Sequence, residues 1–156
     1  MPRLAHLTAA QSDPTLREEG VWVELPVAGA DEPLKLKLRA LASTKARAWD
    51  LARFRKQRAW YLNDGTPPIA VIDQNEADKL AEVLIVEWNI TNDDGTALEC
   101  TAEKVREVML ALPDTRREAL AAAGRQENYR LQTVEALGKN SSRPSKRTSA
   151  TGAAAA

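Results

Sequence analysis

The chain has a single cysteine, Cys100, and a single histidine, His6, among its 156 residues. One cysteine excludes an internal disulfide and a cysteine cluster around zinc. One histidine near the N-terminus leaves no Ser-His or Cys-His pair to place on the rest of the chain. Cys100 precedes a helix start, a position that can lower a thiol pKa, but with no base nearby a small buried residue is the better expectation. There is no P-loop, dinucleotide fingerprint or metal motif. The expectation is a protein that is not an enzyme and uses no cofactor or metal. No run of about eighteen apolar residues is present, so no transmembrane helix is expected. Met1 to Pro14 lacks the apolar segment of a signal peptide, so a cytoplasmic protein is expected. Charge of one sign is not in excess either: 22 Lys and Arg meet 22 Asp and Glu. No overall field draws in nucleic acid or a membrane.

What is there points to one α+β domain, mainly α. Residues 1–19 are polar and weakly patterned, as in a flexible arm. "GVWVELPV" and "EPLKLKLRAL" both alternate, with Leu34, Leu36 and Leu38 on one face and Lys35, Lys37 and Arg39 on the other. That period of two predicts a β-hairpin over 20–41. Four helices are expected after it. Thr44 is placed to cap the first, about 44–62, which "NDGTPP" stops. Asp73 and Glu76 form a D-x-x-E signal, and Ala77, Leu80, Ala81, Leu84, Ile85 and Trp88 follow with helical spacing, predicting a helix over 73–88. Thr101 caps a third over about 101–112, with Glu103 in its first turn. Pro113 ends it, and a fourth runs from Asp114 to about Leu137 with Gly124 as a weak point. Residues 138–156 contain four bases, no acid and almost nothing bulky and apolar. Such a segment cannot offset its ordering entropy and is expected to be disordered.

Charge is segregated along the chain. Residues 34–58 hold nine Lys or Arg and one acid, a net of +8, whereas residues 73–99 hold eight Asp or Glu and one base, a net of −7. The two segments can face each other within the fold or meet between subunits. A third reading takes Trp49, Phe54, Trp60 and Tyr61 among the bases as a nucleic-acid platform, but aromatics at helical spacing are more often core and the acidic segment competes with phosphate. No nucleic acid is therefore expected as a partner.

The stretch "VEWNITNDDGTALECTAEKV", Val86 to Val105, stands apart. Counting Gly95 as the sixth residue of a calcium loop puts Ile90 at position one and Thr101 at position twelve, where acids are required. Calcium is excluded, and Asp93 and Asp94 are turn formers ahead of Gly95.

This stretch resembles the tail assembly chaperones of long-tailed (siphovirus-like) bacteriophages. The carrying residues are Trp88, Asn89, Asp93, Asp94, Gly95, Leu98, Thr101 and Glu103, with "ADKLAEVLIVEW", which includes Leu84, before them and "GVWVELP" further upstream. The resemblance covers about residues 20–140. It implies a non-catalytic protein of the host bacterial cytoplasm, absent from the mature virion. Such a protein binds the tape measure protein, keeps it soluble and helps recruit the major tail tube protein around it. Many weak sites in series would give avidity, and self-association through the two charged segments would suit an extended client. The family commonly makes a longer form by ribosomal frameshifting, and codons for Gly138, Lys139 and Asn140 can contain a slippery heptamer. The alternative is a virion structural protein, a minor tail or head–tail connector component. Whether Trp88 is core or lines a client groove is open at this level.

Overall fold

The computed structural model describes residues 1–131 except Asp64 and Thr66. The expected tail over 138–156, the frameshift residues Gly138, Lys139 and Asn140, and the last part of the fourth helix lie outside the described residues.

The fold is α+β and mainly α, with one small antiparallel sheet. The hairpin forms from β1 (Val21–Leu25) and β2 (Leu34–Leu38), with Val23 opposite Leu36 and Val21 opposite Leu38. Alternation sets its two faces: Val21, Val23, Leu25, Leu36 and Leu38 enter the core, while Trp22, Glu24, Lys35 and Lys37 line the other face. Gly20 immediately precedes β1 at φ +92°, with Leu38 O only 3.0 Å from where a Cβ would stand.

The expected helix over 73–88 requires correction. Helix α5 runs Ile69–Lys79, begins after Pro68, loosens into a π turn over Leu80–Leu84, and gives way to a third strand, β3 (Ile85–Trp88). Apolar residues continue through "LIVEW" densely enough to suit either period. The open side of β2 decides, because its backbone groups need partners. β3 pairs there antiparallel, with Leu36 opposite Trp88 and Leu38 opposite Ile85 across a bulge. Arg39 takes up the carbonyls freed at the helix end: its backbone N–H donates to Leu84 O at 2.8 Å and its guanidinium to Val83 O at 2.9 Å. Asp73 and Glu76 do not cap the helix. Mid-helix, they face Arg116, whose Nη2 is 2.9 Å from the Asp73 carboxylate.

The first expected helix is two, α3 (Thr44–Lys56) and α4 (Arg58–Asn63), and its cap is Ser43, whose side chain accepts from Ala46 N. α6 (Ala102–Ala111) is capped by Thr101 as expected, at 3.2 Å from Lys104 N. α7 (Pro113–Gly124) is shorter than expected. It ends at Gly124, where the Leu41 side chain passes 3.2 Å from a notional Cβ, and a 3-10 turn over Gln126–Tyr129 follows. The N-terminal residues are not patternless: α1 (Leu4–Ala9) and α2 (Pro14–Glu19) form, with Asp13 capping α2. The buried core joins the sheet's inner face to Leu80 and Leu84, to Val105 and Met109 of α6, to Ala119 and Ala122 of α7, and to Tyr129.

Candidate protein-interaction surface

Two regions compete for a functional role: the Val86–Val105 stretch and the helical arm α3–α4.

The first is an internal fastening. Trp88 is half-buried, and its indole N–H donates to Leu98 O at 2.7 Å. Asn89 extends the pairing with β2: its side-chain oxygen accepts from Lys35 N at 2.7 Å, its amide donates to Pro33 O at 3.1 Å, and its own N–H donates to Lys35 O at 3.2 Å. Beyond it the chain doubles back in a narrow ribbon, with Thr91 opposite Ala97. Gly95 turns the tip at φ +85°, the left-handed region glycine tolerates. The Asp94 carboxylate accepts from the hydroxyl (2.6 Å) and the N–H (2.9 Å) of Thr96. These bonds, the hydroxyl's first, hold its carboxyl below the ordinary range.

The sequence-derived residues therefore separate. Leu84 is fully buried in the core; Trp88 and Leu98 meet; Asn89 clamps β2; Asp93, Asp94 and Gly95 form an exposed tip; Thr101 starts α6. The expectation that Trp88 sits at a helix end is corrected, since it lies in β3. Cys100 is partly buried, and burial, aided by Glu87, raises its thiol pKa. This is in line with the expected small buried residue, and the lowering that a place before α6 can bring does not prevail.

The arm is different. α3 buries only Ala46 among its apolar residues. Its inner side docks through polar contacts instead. Trp49 donates its indole N–H to Glu82 at 2.6 Å, and the Arg53 guanidinium lies 4.7 Å from the Trp49 ring centroid, within cation–π range. Arg53 also reaches Asp78 at 3.3 Å. Asp78, 7% exposed, accepts from Arg106 Nε at 2.6 Å and from the Gln74 amide at 2.8 Å. Lys79 and Asp50 pair at 2.7 Å. Thus the basic and acidic segments do meet within the fold. At its N-terminus α3 has two caps, Ser43 and the Glu18 carboxylate. Glu18 accepts the Thr44 N–H, which holds its carboxyl below the usual value. At the far end, Gln57 and Asn75 exchange amide hydrogen bonds of 2.7 and 3.0 Å.

The exposed surface of this anchored arm mixes apolar side chains with bases. Leu51, Phe54, Trp60, Tyr61 and Leu62 are exposed, Leu62 by 62%. The Phe54 and Tyr61 rings lie 5.2 Å apart and join α3 to α4 in one patch. An open concavity is lined by Thr44, Arg47, Ala48, Asp50, Leu51 and Phe54.

No family model, curated protein or solved structure matches the chain. Among the described residues, no group of three His, Cys, Asp or Glu could hold a metal ion, and no helix is long and apolar enough to cross a membrane. The patch is therefore the candidate site on geometry alone: exposed apolar side chains on a helix fastened to its neighbours by several polar contacts are what a protein-binding face needs. Sequence reasoning missed it by treating the aromatics as core. The available signal was that α3's bases leave little room for an apolar inner stripe.

Proposed function

We propose that this protein is a non-catalytic tail assembly chaperone that binds the tape measure protein and helps recruit tail tube subunits during phage tail assembly in the host cytoplasm. The observation that carries the reading is the exposed apolar patch of α3–α4 on a helix fastened to the core. A holding protein must offer apolar surface to its client without unfolding itself. The resemblance in Trp88 to Glu103 supplies the phage context.

The test is co-expression of the chain with a tape measure protein, followed by measurement of how much of that partner stays soluble and co-purifies. A soluble complex with many copies of the chain per partner supports the proposal. An insoluble partner, with the chain recovered in purified particles, would replace it with a minor tail or connector component.

A further inference from the structure

We infer that the outer face of α3 docks an amphipathic helix whose apolar stripe is flanked by acidic residues. The inference rests on the chaperone reading and names the chemistry of its client segment. Arg47, Leu51, Phe54 and Arg55 are all exposed and follow the i, i+4, i+7, i+8 spacing of one helical face. The face thus has an apolar centre with a guanidinium toward each end. Among the described residues, none of Arg47, Arg55, Lys56 and Arg58 forms an ion pair, whereas the acids nearest the arm are already engaged. Asp50, the one acid lining the concavity, is held by Lys79 at 2.7 Å. Asp78 and Glu82 are held by Arg53 and Arg106. The outward charge left over is positive, and it frames apolar side chains.

That pattern selects one occupant. Leu51 and Leu62 are aliphatic, the exposed Phe54 and Tyr61 rings lie against each other 5.2 Å apart, and Trp49 is occupied by Arg53 and Glu82, so of the arm's rings only Trp60 is left for a base, whereas a stacking platform needs successive rings. A helix packed along α3 places its own i, i+4, i+7 residues over Leu51 and Phe54 and its flanking carboxylates beside Arg47 and Arg55. α3 has 13 residues, about 20 Å of length, so about four turns of partner helix cover it.

The test uses the full chain and two fluorescently labelled peptides of about four helical turns. They share a leucine stripe and differ only in having Glu or Lys on its flanks. Anisotropy should show saturable binding of the Glu-flanked peptide, at least about tenfold tighter than the Lys-flanked one, and the Arg47→Glu, Arg55→Glu double variant should reverse that preference. Leu51→Ser with Phe54→Ser should weaken both peptides. All four positions are exposed, and circular dichroism checks folding; if a double variant is unfolded, Arg55→Glu alone serves. Equal affinity for both peptides, no binding, or displacement of the peptide by a single-stranded oligonucleotide overturns the inference. The co-expression assay is scored separately. A soluble client without peptide selectivity removes the docking face and leaves the chaperone reading standing. Peptide selectivity with an insoluble client does the reverse.

Discussion

Asp78 holds Arg106 through a 2.6 Å bond between its carboxylate and the guanidinium Nε, and the other oxygen of the same carboxylate is 3.3 Å from Arg53. One nearly buried acid thus joins α6, α5 and the arm. Asp78→Ala leaves two guanidinium groups with Glu82 alone. Loss of a buried ion-pair partner costs several kcal/mol, but both arginines are partly exposed, so a loss of about 2 kcal/mol is expected. Urea unfolding measures it. A change under about 0.5 kcal/mol would place this cluster with ordinary surface pairs.

Trp88 and the Leu51–Phe54 pair should separate stability from binding. Trp88→Ala removes a half-buried indole and its bond to Leu98 O, at an expected cost of about 2–3 kcal/mol. Leu51→Ser with Phe54→Ser should change stability by less than about 1 kcal/mol while reducing client recovery. Melting curves and pull-downs on the same preparations give both readouts. The opposite pattern would move the site to β3.

Gly20→Ala should destabilise by about 2–3 kcal/mol, because the positive φ and the 3.0 Å approach to Leu38 O act together. Gly95→Ala, with a positive φ but nothing within 4 Å, should cost about 1 kcal/mol. The difference between the two, from chemical denaturation, isolates the close approach.

Tyr129 gives a pH dependence. Its ring is buried, its hydroxyl donates to Leu38 O at 3.2 Å, and burial pushes its phenol above the usual range. The unfolded chain loses this proton at about pH 10 while the folded chain keeps it. Its contribution is therefore complete below that pH and is lost as pH rises further. Tyr129→Phe should cost about 1 kcal/mol at neutral pH and make the alkaline fall in stability shallower. Stability curves between neutral and strongly alkaline pH would show whether the two slopes differ.

Cys100 should alkylate more slowly than free cysteine at neutral pH, since burial and Glu87 both favour the protonated thiol. Glu87→Gln should speed the reaction. A rate at neutral pH above that of free cysteine would show that the α6 N-terminus outweighs burial.

Much of the fold is legible wherever a side chain answers a need of its own backbone. Leu34, Leu36 and Leu38 alternate with bases, and only a strand puts all three on one side. Thr101 satisfies a donor three residues on. Asp94 and Gly95 close a turn with Thr96 and Asn92. These outcomes depend on neighbours in the chain, so short-range chemistry determines them.

The opposed charges of 34–58 and 73–99 also point to a meeting, and Arg53, Asp78, Lys79 and Asp50 carry it out. Which acid meets which base, and that α3 thereby turns Leu51 and Phe54 outward, depends on how α3 lies on α5 and α6. Ile85–Trp88 is the clearest divide. Its local pattern suits a helix, yet the unpaired edge of β2 offers its backbone partners as a strand, and the two donors of Arg39 take the carbonyls of Val83 and Leu84 just before it. Asp73 and Glu76 likewise have the spacing of a cap and serve Arg116 instead. Residue types and their spacing determined the hairpin, the turn at Gly95 and the capped start of α6. The tertiary structure alone decided the third strand and the open apolar face, because both depend on groups tens of residues away in the chain.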